Sequence, residues 1–222
     1  MHKLIDVFVN KVTSMHAYIA KQPIVNRARH IVAYELLYRD SLENTFPLIN
    51  AEIATERLVH EHLLSSNIDK LVDNKPYFIN FTEKSILNGL PKKLINKPIV
   101  IEVLEDVPPT QAALKALNKL KDDGFTIALD DFIYSEDWLP FFGVVDIIKF
   151  DITLTSFNEI RELIPLLEKH DISILIEKIE TEEQFKQAKK LQSTYFQGYL
   201  FAEPEIVLND INKPNLEIIN VN

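Results

Sequence analysis

The stretch Thr126-Ile127-Ala128-Leu129-Asp130-Asp131 decides the fold: a short apolar strand pattern runs straight into two adjacent carboxylates. Before it, Gly124 closes an amphipathic helix pattern over Thr110–Asp123 and turns the chain directly into the strand. The same ending recurs along the chain. Ile31–Tyr38 carries Glu35, Tyr77–Phe81 carries Asn80, and Ile99–Val103 carries Glu102 with Glu105 just beyond. Asp146–Phe150 carries Lys149 and then meets Asp151, Ser173–Ile176 runs into Glu177, and the last run, Thr194–Phe201, holds Gln197. The opening strand pattern is His16–Val25. Between the strands lie helical patterns at Ala51–Leu64, Phe157–Lys169 after a Ser156 cap, and Thr181–Leu191, with weaker turns at Glu83–Asn88 and Glu136–Phe142.

Alternating strand and helix predicts an α/β fold with a parallel sheet. About eight strands in a chain of 222 residues suit a compact (β/α)8, TIM-like barrel. Only Asn26–His30 separates the first two strands, which leaves no room for a crossover helix, so the first strand is expected to be antiparallel. Polar residues at the same end of successive strands then converge on the barrel mouth where such folds keep their active sites.

Taken singly, each of these residues has an ordinary explanation. A lone Glu at a strand end is usually solvated, Asp-Asp before a loop often caps a turn, Lys149 can snorkel, and Asn80 can close a turn. Together they are harder to dismiss. Glu35, Glu102, Asp130, Asp131 and Glu177 crowded at one mouth repel one another unless their pKa values rise or a cation intervenes. The chain has no Cys, and its close pair His60 and His62 does not share a helix face. An all-oxygen donor set selects hard ions such as Mg²⁺ or Mn²⁺, and adjacent carboxylates such as Asp130 and Asp131 fit two metals a few ångströms apart.

Composition narrows the class further. Apolar residues make up 46% and charged residues 26%, as in a globular domain with a substantial core. A net charge of −9 argues against binding a nucleic acid polymer, so an anionic ligand must be held by local cations. Met1–Thr13 lacks an apolar signal region and no run is long enough to span a membrane, so the expected location is the cytoplasm, with no membrane partner. Residues 1–208 read as one barrel domain and 209–222 as a polar tail or linker.

The segments Tyr34-Glu35-Leu36-Leu37-Tyr38-Arg39, Ile79-Asn80-Phe81-Thr82, Ile101-Glu102-Val103-Leu104-Glu105, Ala128-Leu129-Asp130-Asp131-Phe132, Ile148-Lys149-Phe150-Asp151, Ile176-Glu177-Lys178-Ile179-Glu180-Thr181 and Phe196-Gln197-Gly198-Tyr199-Leu200 resemble, in order, the motifs of the EAL-domain cyclic di-GMP phosphodiesterases. Gln22-Pro23-Ile24 resembles the family's opening strand. The forms around Glu35, Glu102 and Glu177 are most similar to the branch in which an EAL domain precedes an HDOD domain. The resemblance implies that Glu35, Asn80, Glu102 and Asp130 hold a first metal, and that Asp130 and Asp131 share a second. Glu177 is then a ligand or the base acting on the attacking water, Lys149 orients that water or offsets charge, and Gln197 positions the water network. Glu105 supports the loop after Asp131, and Gln22, Leu37, Arg39 and Pro204 line the dinucleotide cleft. The product is the linear dinucleotide pGpG.

Two departures open an alternative: an EAL domain that binds cyclic di-GMP or a protein without hydrolysis. The family has Phe-Gly and a Gly/Ser-rich run after Asp131, whereas here Phe132-Ile133-Tyr134-Ser135-Glu136-Asp137-Trp138 contains no glycine and must take another path. Lys178 stands where the family commonly has Gly, and can pair within the mouth or point away. The loop Ile133–Phe142 carries enough apolar side chains either to fold back as a short helix or to offer Trp138 and Phe142 to a second copy or a partner protein.

Overall fold

The computed structural model describes residues 18–39, 49–64, 68–208 and 217–218. Its strands are β1 (Tyr18–Asn26), β2 (Ile31–Arg39), β3 (Tyr77–Phe81), β4 (Ile99–Val103), β5 (Thr126–Leu129), β6 (Ile147–Asp151), β7 (Ser173–Glu177), β8 (Tyr195–Phe196), β9 (Glu205–Leu208) and β10 (Glu217–Ile218). Strands β2 to β8 run parallel in sequence order, and β1 closes the barrel antiparallel to both β2 and β8. The expected antiparallel start is present. Asn26 makes it: its side chain accepts hydrogen bonds from the backbone N–H groups of Ala28 (2.9 Å) and His30 (3.0 Å), while Arg29 takes a left-handed φ of 64°. Pro23 is tolerated inside β1 because it falls in a gap. On the side away from β2, β9 pairs with Ile19–Lys21 and β8 with Val25–Asn26, so no ladder bond needs the missing N–H.

The helices α1 (Ala51–Arg57), α2 (Ile68–Leu71), α3 (Glu83–Leu87), α4 (Gln111–Asp122), α5 (Phe157–Lys169) and α6 (Glu182–Lys190) separate the parallel strands. Their ends follow from local chemistry. Ser156 and Thr181 each form a reciprocal cap with the third helical residue, Glu159 and Gln184. After α4, Gly124 adopts φ 91° and Phe125 N–H returns to the Leu120 carbonyl at 3.1 Å, which aims the chain into β5.

Two expectations need correction. The run Ala51–Leu64 is not one α-helix, since residues Leu58–Leu63 widen into a π-helical turn. The last strand covers Tyr195–Phe196 rather than Thr194–Phe201, so Gln197 lies just beyond it. The cause is Gly198, where a Cβ would sit 2.2 Å from the Ile179 carbonyl oxygen and the backbone turns away. Of the two fates open to the loop Ile133–Phe142, the structure takes the fold-back: Phe142 is buried and Trp138 half-buried, so neither is an exposed anchor. The segment folds as a 3-10 helix, Glu136–Gly143, with Trp138 stacked edge-on against Phe132 (5.9 Å) and Phe141 (4.9 Å). What it leaves exposed is Ile133, Tyr134 and Leu139. Of the tail, residues 209–216 and 219–222 lie outside the described residues, as do His16 and Ala17 at the start of the expected first strand.

Two apolar cores result. The larger lies between the barrel and its helices, and a smaller one, built from Ile24, Ala33, Phe78, Val100, Ala128, Ile147 and Leu175, fills the barrel interior.

Candidate functional site

Side chains alternate across a strand, so the residue two positions beyond an inward-facing one also faces inward. In β2, β3, β4, β6 and β7, and across the end of β5, the plug residues Ala33, Phe78, Val100, Ile147, Leu175 and Ala128 are therefore followed two residues later by Glu35, Asn80, Glu102, Lys149, Glu177 and Asp130. On antiparallel β1 the order reverses, with Gln22 two residues before Ile24. The polar layer stands directly above the apolar plug.

Lys149 is the hub. Its ammonium donates to Glu102 Oε1, to Asp130 Oδ1 at 2.7 Å and lies 3.1 Å from Glu177 Oε1. Gln197 Nε2 donates to Glu35 Oε2 at 2.6 Å and to Gln22 Oε1 at 2.9 Å, and Gln22 in turn donates to the Ala202 carbonyl. Gln197 thus fixes Glu35, and through Gln22 the segment before β9 is tied to the mouth. Among the described residues, Glu105, Asp130 and Asp131 each bring a carboxylate oxygen within 4.8 Å of the others. Asp131 reaches this position through a left-handed φ of 41°, a conformation Asp tolerates better than most residues. The glycine-free loop therefore leaves Asp131 in place.

One ammonium cannot neutralise this many carboxylates. Burial, with Asp130, Glu35 and Asp131 adding to it against Lys149, pushes the Glu177 carboxyl up to about 8. Glu102, fully buried, is raised well above the usual carboxylate range for the same reasons. Burial and Asp130 lift Asp131 to about 6. Burial alone would lower Lys149, but the facing carboxylates outweigh it and hold the ammonium protonated. The cluster keeps both its ammonium and extra carboxyl protons.

The buried oxygens Asn80 Oδ1, Glu102 Oε2, Glu177 Oε2 and Gln197 Oε1 have no hydrogen-bond partner. Orphaned acceptors at this density are costly and fit a hard divalent cation, which bonds oxygen donors and offsets carboxylate charge. The donor set suits such an ion.

Two adjoining cavities open above. One, about 320 Å³, is lined by Gln22, Leu37, Arg39, Glu177, Tyr199 and Pro204 among others. The second, about 410 Å³, takes in Asn80 and Glu105, and the two share Leu37, Asp130 and Asp131. Every site residue implied by the resemblance lines these cavities except Glu102, which Lys149 holds beneath them. The sequence reading missed Glu180 and Tyr199 as lining residues. Tyr199 is signalled only by its place after Gly198, and at 59% exposure it is too exposed to be core.

Fold and site together define a (β/α)8 barrel with an acidic, cation-seeking mouth at the C-terminal ends of its parallel strands. Residues 10–204 match the EAL domain family, and the chain belongs to it. It is 39% identical over 198 residues to "Cyclic di-GMP phosphodiesterase CdgJ" of Vibrio cholerae, covering 88% of this chain and 46% of that protein. The chain spans about half the length of the curated relatives it matches first. Among solved structures it resembles an EAL domain protein from Listeria monocytogenes (TM-score 0.70, 22% identical, covering 92% of this chain and 93% of the other). It also resembles Klebsiella pneumoniae BlrP1, solved as a calcium/cyclic di-GMP complex (TM-score 0.69, 24% identical, 86% of this chain and 56% of the other). A manganese/cyclic di-GMP complex of BlrP1 is also known. These structural likenesses support the barrel fold.

Proposed function

We propose that this barrel hydrolyses cyclic di-GMP to linear pGpG with the help of divalent metal ions, Mg²⁺ or Mn²⁺. The observation that carries the reading is Asp131, which keeps its carboxylate beside Asp130 and Glu105 although the loop after it has lost its glycines. The likeness to CdgJ, named a cyclic di-GMP phosphodiesterase, and the cyclic di-GMP complexes of BlrP1 support the same substrate. In this reading Glu35, Asn80, Glu102 and Asp130 hold one ion, and Asp130 with Asp131 holds the second. The ions supply Lewis-acid stabilisation of charge on the phosphoryl oxygens.

The protein's own groups do the rest. Glu177, in its ionised form, takes the proton of the attacking water as the water oxygen bonds to phosphorus and the bond to the ribose O3′ breaks. The departing O3′ takes up a proton from solvent to become a hydroxyl, and the phosphate stays on the 5′ side, which gives pGpG. Lys149 orients the attacking water and holds Glu102, Asp130 and Glu177 in register, and Gln197 does the same for Glu35. Gln22, Leu37, Arg39 and Pro204 seat the dinucleotide, and Glu105 steadies the loop after Asp131. A bacterial second messenger as substrate implies work in the cytoplasm. Exposed Ile133, Tyr134 and Leu139 are the contact for a second copy or a partner protein, and residues 209–222, apart from the short pairing of β10 with β9, serve as a tail or linker to one.

The test is incubation of the purified chain with cyclic di-GMP and Mg²⁺ or Mn²⁺, followed by chromatography for pGpG. Turnover that chelator abolishes, and that Glu177→Gln and Asp131→Asn each reduce by about a hundredfold or more, is expected. No pGpG from the unaltered chain with either ion would overturn the proposal in favour of binding without hydrolysis.

A further inference from the structure

Lys178 follows Glu177 directly and adopts φ 57°, a left-handed conformation that suits glycine and strains a lysine. The fold gives nothing visible in return. Its side chain is exposed, and among the described residues its ammonium makes no hydrogen bond or ion pair. It is not, however, directed away from the site. Lys178 lines the same cleft as Arg39, Tyr199 and the carboxylates, and stands near enough to Asp131 to oppose the rise in that carboxyl's pKa.

The charge balance of the cleft gives this ammonium a task. The cleft walls and floor carry Glu35, Asp130, Asp131 and Glu177, and the buried cation, Lys149, is committed to Glu102, Asp130 and Glu177. A cyclic dinucleotide brings two phosphodiesters, each with a negative charge, towards that acidic surface. Arg39 is mostly buried, with one nitrogen donating to the Tyr38 carbonyl at 3.0 Å. Among the described residues lining this cleft, Lys178 is the cation that is exposed to solvent.

We propose that Lys178 is an anion-binding residue of the cleft, whose ammonium takes a phosphodiester of the cyclic dinucleotide in the space that Leu37 and Arg39 of β2 also line. The claim rests on the phosphodiesterase reading above and adds to it a residue that sets affinity rather than chemistry. Backbone strain at this position is then the cost of placing a mobile positive charge beside the base Glu177.

The experiment compares the parent with Lys178→Gly and Lys178→Arg in three measurements. These are calorimetric binding of cyclic di-GMP in Ca²⁺, KM and kcat in Mg²⁺ or Mn²⁺, and the melting temperature. Lys178→Gly is expected to bind about tenfold more weakly, the loss typical of one charge-assisted hydrogen bond, and to raise KM more than it lowers kcat. Its melting temperature should stay level or rise, because glycine relieves the left-handed backbone. Lys178→Arg should bind like the parent. A purely structural lysine would give the reverse: lower melting temperature with affinity unchanged. Parent-like affinity in Lys178→Gly overturns the inference while leaving the phosphodiesterase reading intact. A parent chain that binds no cyclic di-GMP overturns both.

Discussion

The two ends of the barrel are built from the same strands and differ by a shift of two residues. At one end Phe78, Val100, Ile147 and Leu175 pack into a plug, beside a cavity of about 380 Å³ that also takes in Pro76, Pro98 and Phe125. At the other, Asn80, Glu102, Lys149 and Glu177 hold charge and polarity that burial destabilises. The plug excludes water from below and lowers the local dielectric, so the polar layer above it must find compensation in Lys149 and in bound cations. Stability is gathered at one end and spent at the other.

The largest effect should come from removing the hub. Lys149→Met would leave Glu102, Asp130 and Glu177 without their cation, with an expected loss of about 3–5 kcal/mol of stability and of about a hundredfold or more in turnover. Denaturant unfolding and the pGpG assay measure the two. Parent-like stability in this variant would mean that the polar layer costs little and that the contrast between the ends is false. Next comes the plug. Leu175→Ala should cost about 2–5 kcal/mol of stability by cavity formation, yet leave KM for the dinucleotide unchanged. A raised KM would show that the plug shapes the cleft as well as supporting it.

The smallest effect is one of slope. In chelator-treated protein, Glu177 holds its proton in the folded state up to about pH 8, against an ordinary value of 4.5 in the unfolded chain. Below 4.5 both states are protonated and the group is neutral to stability. As pH rises from there towards 8, the unfolded chain releases its proton first, so stability falls. Asp131, raised to about 6, acts in the same direction over the lower part of that window. Melting curves should therefore decline with pH across this range, and Glu177→Gln should flatten the decline.

Much of this architecture could be read from the sequence because it is local. Glu102, Lys149 and Glu177 each sit two residues after a plug residue on a short apolar strand, and the twofold period of a strand is enough to put them on one face. Boundaries of β3, β4, β5 and α5 followed from the same pattern and from the Ser156 cap. What stayed hidden depends on contacts between distant residues. Gly198 ends β8 early because Ile179 lies against it; a glycine within a strand pattern hints at such a close approach but does not name the partner. Whether Phe142 and Trp138 fold back or stay exposed was open, because the weak helical turn at Glu136–Phe142 does not say what covers it; Phe132, Phe141 and His170 do. The direction of Lys178 was equally undetermined, since a left-handed residue breaks the alternation that placed its neighbours.

The most direct measurement is anomalous diffraction from crystals of the chain soaked with Mn²⁺. The account predicts anomalous density at the polar mouth, within bonding distance of oxygens from Asn80, Glu102 and Asp130, and a second peak between Asp130 and Asp131. Crystals with no density at the mouth, or with Mn²⁺ held only by carboxylates elsewhere on the surface, would contradict it.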